Sequence, residues 1–143
     1  MSLLRAMRVA ASGLEMQRAR MEIVASNLAN ANTTRTAEGG PYVRRLPVVE
    51  AAPVDGPGGF AGALDRAVRG VRITGVTKDP RPPLLRYEPG HPDADANGYV
   101  AYPNVDPAEE MVDLLSALRS YEANVNVIKA AGRMHESALG MVR

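Results

Sequence analysis

The sequence predicts a mainly α fold with a small β module. Long N- and C-terminal helices pair as an antiparallel, coiled-coil-like hairpin, and an irregular β-rich segment separates them. Two observations support this prediction: apolar residues recur at spacings of three and four through both ends of the chain, and most glycines and prolines fall between the ends. We therefore divide the chain into an N-terminal helix (1–36), a β-rich module (37–105) with a flexible stretch at 51–69, and a C-terminal helix (106–143).

The first helix is predicted over residues 3–31. We use the word seam for the line of residues on one helix that faces a neighbouring helix. Ser2 fits the N-cap position. Gly13 weakens a helix interior by roughly 1 kcal/mol relative to alanine, so we expect a close packing contact there. The predicted seam has one polar interruption and comprises Leu3, Met7, Ala10, Leu14, Gln17, Met21, Val24, Leu28 and Ala31.

The second helix is predicted over residues 107–142, and its start is well marked. Asp106 fits the N-cap, Pro107 the first helical position and Glu109 the third. Acidic residues in the first turns suit the positive end of the helix dipole. The predicted seam comprises Met111, Leu114, Leu118, Tyr121, Val125, Ile128, Gly132, His135, Leu139 and Val142.

Short β-like runs occupy the segment between the helices. They are rich in β-branched and aromatic residues and are bounded by Gly- and Pro-rich turns. Asn97-Gly98 is a favoured pair for a type I′ hairpin turn. The predicted strands are 42–50, 71–78, 84–88 and 99–102.

Composition excludes several classes of function. A net charge of +1 argues against nucleic-acid binding, which needs a concentrated cationic surface. The absence of cysteine excludes disulfides and thiolate sites. No apolar run approaches the ~18 residues of a membrane span, and Arg5 and Arg8 interrupt the N-terminus where a cleavable signal peptide would be apolar. We expect no direct membrane insertion.

One motif suggests a metal site. Asp93, Asp95, Asn97 and Gly98 match the opening of an EF-hand calcium loop, but Asn104 stands where the closing bidentate glutamate belongs. A solvated turn is therefore the favoured interpretation, and a calcium-dependent binding module is the alternative. The two histidines lie in different modules, and no nucleophile–base set can be assembled. We predict no catalytic residue, no cofactor and no metal.

The end of the first helix is rich in asparagine and threonine. Such residues compete with helical hydrogen bonds, so the cluster can simply stop the helix. Asn27 and Asn30 can instead bond across to neighbouring helices and fix their register. The sequence leaves both interpretations open.

Narrow seams leave apolar edges exposed when two helices pair only with each other, so we expect self- or hetero-assembly. The candidate sites are therefore interface residues on both helices. They comprise Met7, Leu14, Met21, Leu28, Met111, Leu114, Leu118, Tyr121, Val125 and Ile128, with Asn27, Asn30 and Asn124 as polar members.

Several motifs along the chain resemble those of the flagellar rod and hook proteins, in the form found in the proximal rod. Residues 51–69 are the least family-like part, and Leu28 stands where the family usually has isoleucine. The matching segments are 12–14 (Ser-Gly-Leu), 26–36 (Ser-Asn-Leu-Ala-Asn-Ala-Asn-Thr-Thr-Arg-Thr), 38–42 (Glu-Gly-Gly-Pro-Tyr), 70–76, 79–83, 89–100, 103–105 and 120–125 (Ser-Tyr-Glu-Ala-Asn-Val).

The resemblance implies a structural subunit of the bacterial flagellar basal body, located in the periplasmic rod and exported by the flagellar type III apparatus without a cleavable signal. Its implied partners are other rod proteins, copies of itself and the base of the rod at the membrane ring. The terminal helices would form the rod core, with the middle segment facing outward, and the assembly would transmit torque. Another axial rod protein of the same family is the alternative identity.

Overall fold

A computed structural model describes residues 3–53 and 68–141. Within these residues, four strands lie between two long helices along the chain. We label these elements in chain order as α1 (Leu3–Ala29), β1 (Arg45–Pro53), β2 (Arg69–Lys78), β3 (Leu84–Tyr87), β4 (Tyr99–Tyr102) and α2 (Pro107–Gly140). The predicted mainly α fold with a small β region is confirmed.

Both helices fall within two residues of their predicted bounds. The start of α2 uses the expected cap, because the Asp106 carboxylate accepts a hydrogen bond from the Ala108 N–H at 2.8 Å and Pro107 opens the helix. Ser2, the predicted cap of α1, lies outside the described residues, as does Val142. Neither described helix has an 18-residue stretch apolar enough to cross a lipid bilayer.

The two helices run antiparallel in direct contact. Arg20 on α1 forms an ion pair with Asp113 on α2 at 3.0 Å, and Asn27 donates to Glu110 at 3.1 Å. At the other end, Gly13 lies against Asn124: a Cβ atom added to the glycine would stand 2.8 Å from the Asn124 amide nitrogen. The close packing contact expected at Gly13 is therefore present.

The buried line between the helices agrees with the predicted seams only in part: Ala10, Gln17 and Val24 are buried as predicted, but the larger seam residues are not. On α1 it includes Gly13 and Asn27 in place of their larger neighbours Leu14 and Leu28, which are only half-buried. The same shift by one residue occurs on α2. Small side chains let the two backbones approach, and this displaces the bulkier ones to the edge. The buried residues are Arg5, Ala10, Gly13, Gln17, Val24 and Asn27 on α1, and Glu110, Ala117 and Ala131 on α2.

The four strands form two antiparallel pairs. β1 pairs with β2 over their full lengths, with one irregularity at Val48 and Val49 where Thr74 is the extra residue of β2. This pair lies along α1, where the Val71 N–H donates to the Ser12 hydroxyl at 3.2 Å. Residues 54–67, which form most of the stretch predicted to be flexible, lie outside the described residues.

β3 pairs with β4, but the predicted type I′ turn between them is wrong. That turn needs a positive φ at both central residues, whereas only Gly98 of the Asn97-Gly98 pair has one, at 82°. The Asp95 carboxylate accepts hydrogen bonds from the backbone N–H groups of Asn97 and Tyr99, both at 2.8 Å. This aspartate-centred turn explains why the strands are joined by a longer loop.

A small apolar cluster of Ala31, Tyr42 and Val105 joins the ends of the helices to the strand region. The loop between β3 and β4 is tied to the same place, since the Thr34 hydroxyl donates to Asp93 at 2.8 Å. The strand region is therefore anchored where α1 ends and α2 begins.

The Gly13 contact gives the first testable prediction. Gly132 on α2 is also inside a helix, but a Cβ added there meets nothing within 4 Å. We expect Gly132→Ala to raise the free energy of unfolding by up to about 1 kcal/mol, because alanine favours the helix. Gly13→Ala should show no such gain, and Gly13→Val should lower it. Urea denaturation followed by circular dichroism measures the difference. An equal gain for both alanine variants would contradict the close contact.

Candidate assembly interface

Asn27 is the most completely bonded side chain between the helices and the strand region. It is 1% exposed. Its amide nitrogen donates to the Arg45 carbonyl at 2.9 Å and to Glu110, while its amide oxygen accepts from the Arg45 N–H and the Tyr42 hydroxyl, both at 2.9 Å. The side chain thus pairs with the backbone of the first residue of β1 as a neighbouring strand would.

Asn30 behaves differently. Its amide nitrogen donates to the Ser26 carbonyl at 2.9 Å, and its oxygen accepts from the Thr33 hydroxyl at 3.2 Å. Both bonds are local to the end of α1. Each interpretation of the asparagine cluster therefore applies to one residue. Asn30 ends the helix through local hydrogen bonds, and Asn27 bonds across to α2 of its own chain.

Glu110 and Arg44 form a buried ion pair beside Asn27. Glu110 is fully buried, and one of its oxygens accepts a hydrogen bond from the Arg44 Nε. The Arg44 guanidinium also lies 3.5 Å from Glu109 and 3.7 Å from both Asp79 and Asp113. A buried cation with several acidic partners is well compensated, whereas removal of its principal partner leaves an uncompensated charge.

Asp79 extends this cluster to the end of β2. The Arg81 side chain and backbone N–H donate to its carboxylate, with a shortest distance of 2.7 Å. These hydrogen bonds hold the pKa of Asp79 at about 2, below its ordinary value of 3.8. The backbone N–H of Asp79 donates to the Arg44 carbonyl at 2.8 Å. The cluster therefore fixes the strand region to both helices.

The larger apolar side chains of the predicted seams lie on the opposite flank of the helix pair. A helix turns by about 100° per residue, so residues seven apart share a line along it. On α1 the strand region contacts the Asn27 line, and on α2 it contacts Asp113 through Arg44. The apolar lines are rotated away from both. We call this surface the apolar face: Met7, Leu14, Met21 and Leu28 on α1, and Met111, Leu114, Leu118 and Val125 on α2.

The apolar face is only partly covered within the chain. Met111 is 50% exposed and Leu118 is 42% exposed, and the α1 members are half-buried. Of the other predicted interface residues, Tyr121 and Ile128 are half-buried on the seven-residue line of Leu114, and Asn124 lies at the Gly13 contact. The predicted seams thus come together as one surface that the chain leaves incomplete.

The aspartates of the EF-hand-like motif form hydrogen bonds that stabilise the loop between β3 and β4. Asp93 accepts from Thr34 and lies 3.7 Å from Arg35, while Asp95 accepts the backbone N–H groups of its own turn. Within residues 3–53 and 68–141, His, Asp and Glu side chains do not gather into a group of three or more that could hold a metal ion.

Sequence reasoning missed the ion cluster of Arg44, Asp79 and Glu110. These residues are 31 to 66 positions apart in the sequence, and each is an ordinary charged residue in its local context. One signal was present in α2: Glu110 precedes the apolar Met111 by one residue, on the line that continues through Ala117 and Ala131. A charge on a line of small residues indicates a buried partner.

Comparisons with known proteins match the two helical parts of the chain. The family model described as "Flagella basal body rod protein" matches residues 7–35, and the model described as "Flagellar basal body rod FlgEFG protein C-terminal" matches residues 96–141. The flagellar basal-body rod protein FlgC of Borreliella burgdorferi is 43% identical over 100% of this chain and 99% of its own length. The chain belongs to the FlgC family of flagellar basal-body rod proteins.

Two further FlgC relatives support the assignment. The protein of Bacillus subtilis is 41% identical over 97% of both chains, and that of Salmonella typhimurium is 42% identical over 94% of this chain and 93% of its own length. The regions matched by the family models contain the whole apolar face, together with Asn27 and Glu110. Arg44 and Asp79 lie between these regions.

The buried ion pair yields a prediction with a matched control. Glu110 and Glu109 are adjacent and both contact Arg44, but Glu109 is half-exposed. We expect Glu110→Ala to lower the free energy of unfolding by about 3 kcal/mol or more, because it strands a buried guanidinium and the Asn27 amide. Glu109→Ala should cost at most about 1 kcal/mol. Chemical denaturation measures both, and Glu110→Gln gives a milder variant in case Glu110→Ala does not fold. Similar costs for the two alanine variants would refute a special role for Glu110.

The Asp79 pKa predicts a pH dependence. A carboxyl whose pKa is lower in the folded state contributes stability that is fully present above its unfolded pKa, near 3.8, and is lost as the pH falls toward the folded value of about 2. The difference in unfolding free energy between wild type and Asp79→Asn should therefore be constant above about pH 5 and shrink between pH 4 and 2. Thermal unfolding at a series of pH values tests this, and a difference independent of pH would contradict it.

Proposed function

We propose that this FlgC-family chain is a structural subunit of the proximal rod and that the apolar face is its main assembly contact. One observation supports the proposal above all: the apolar face carries large side chains in regular seven-residue spacing, yet Met111 and Leu118 are about half-exposed and the other six are only partly covered. Burying the exposed half of Met111 or Leu118 stabilises an assembly by about 1 kcal/mol. The other six side chains add smaller contributions to the same contact.

We infer coiled-coil-like packing for the helix pair. Residues 10, 17 and 24 are buried on α1, and residues 110, 117 and 131 are buried on α2 at spacings of seven and fourteen. In this proposal 1–36 and 106–143 form the rod core, and 37–105 forms an outer module. Helices that interlock in this way resist twisting, which suits a shaft that transmits torque.

We propose that the chain contacts copies of itself, other rod proteins and the base of the rod at the membrane ring. We also propose that it is located in the periplasm, after export without a cleavable signal peptide. The family assignment supports these expectations. The proposal needs no catalytic residue, cofactor or metal, because packing alone supplies the function.

Leu118 provides the test of the apolar face. We expect Leu118→Asp to abolish incorporation into the rod, because a charge at a packed interface without a partner costs several kcal/mol. Motility in soft agar and the presence of the chain in isolated basal bodies measure the effect in cells that lack the native gene.

Ala11→Asp is the control. Ala11 is an exposed apolar residue of α1 outside the apolar face, and its seven-residue line continues through Arg18 and Ala25, which are also exposed. The control should remain incorporated and motile. Normal rods with Leu118→Asp, or equal loss with both variants, would refute the apolar face as the assembly contact.

A further inference from the structure

α2 carries a second apolar surface, on the other flank of the helix pair. Val127 and Met134 lie two and three seven-residue steps after Asp113, whose carboxylate faces the strand region through Arg44. They therefore share the flank of the strand region, opposite the apolar face. We call this surface the small stripe: Ala123, Val127, Ala130 and Met134.

The small stripe is uncovered in the part of the chain that the structure describes. Val127 is 46% exposed and Met134 is 62% exposed. Among the described helices and strands, α2 packs only against α1, so β1 and β2 do not extend over it. An exposed row of apolar residues on this flank is not explained by the contacts of a single copy.

We propose that copies of this chain associate with one another heterologously: the apolar face of one copy packs on the small stripe of the next. This inference rests on the proposed function, since it names what covers the apolar face. The partner is a second copy because one chain carries both halves of the contact.

The two surfaces complement each other in size. The apolar face presents leucine and methionine side chains, whereas the small stripe alternates alanines with Val127 and Met134. Large side chains of one helix fit into the spaces above the small side chains of another, which permits close helix packing. Two copies of the apolar face would instead oppose large side chains to large ones.

Charges along the edges of the surfaces are also complementary. Glu122 lies one turn from both Leu118 and Val125, at the edge of the apolar face farthest from α1. Arg119 and Arg133 lie one turn from Ala123 and Ala130, at the corresponding edge of the small stripe. All three charged side chains are exposed. When the surfaces meet with their α2 helices side by side, the anion of one copy faces cations of the next.

Opposite flanks have a consequence for symmetry. When two different surfaces form the contact, the assembly keeps a free apolar face at one end and a free small stripe at the other, so another copy can always be added. Such a contact builds open helical arrays instead of closed dimers. This is the geometry that a rod requires.

The experiment uses two full-length variants, each lacking one surface: Leu118→Asp for the apolar face and Val127→Asp for the small stripe. Both substituted residues are substantially exposed, and circular dichroism checks that the helices remain. Analytical ultracentrifugation over a concentration series compares wild type, each variant, their equimolar mixture and the control Ala11→Asp, whose residue belongs to neither surface.

The expected result is concentration-dependent growth for wild type and Ala11→Asp, and monomers for each variant alone. The mixture should form one-to-one dimers and stop, because each dimer has lost both outward-facing surfaces. If Val127→Asp assembles like wild type while Leu118→Asp does not, the small stripe is wrong and the apolar face stands. If Leu118→Asp assembles like wild type, the proposed function itself fails. A mixture that stays monomeric, or a wild-type chain that remains monomeric at every concentration, would also overturn the inference.

Discussion

The contact between the two helices is made mainly by small and polar side chains, and the rest of the molecule depends on this choice. Gly13 and Ala117 let the backbones come close, while Gln17 and Asn27 place polar groups where a stable monomer would have leucine. The Gln17 side-chain oxygen is buried without a hydrogen-bond partner among the described residues, which weakens the contact further. The apolar side chains that could stabilise a single chain are thereby left for neighbouring subunits.

The buried ion cluster supplies the specificity that this weak contact lacks. Asn27 forms two hydrogen bonds with the backbone of Arg45 in β1, and Glu110 accepts from both Asn27 and Arg44. Shifting α2 along α1 by one turn would leave the Glu110 carboxylate buried without these donors and would remove the partners of Arg44 on α2. The cluster therefore sets the register of the helices and the position of the strand region, so that the apolar face and the small stripe form at defined places.

Sequence periodicity predicted the helices and strands closely, since α1, α2 and all four strands depend on local patterns and on turn residues. It also identified the apolar side chains for which we propose an assembly interface. The glycine at position 13 correctly predicted a close contact there, but periodicity did not predict that Leu14 and Leu28 would lie at the edge of the helix contact, because it marks an apolar line without showing which neighbour covers it. The ion cluster could not be predicted from the sequence, because its residues are far apart in the chain and come into contact only in the folded structure. The turn at Asn97-Gly98 was missed because Asp95 offered the backbone a competing hydrogen bond.

Oxidative footprinting of methionines tests the central claim most directly. Met111 belongs to the apolar face, and Met141 is an exposed methionine at the end of α2 that does not. Brief exposure to hydroxyl radicals, followed by mass spectrometry, reports the accessibility of each in the free chain and in isolated rods. The account predicts that Met111 is oxidised readily in the free chain and protected in rods. Equal protection of Met111 in the free chain and in rods would show that a single copy already buries this surface, and would contradict it.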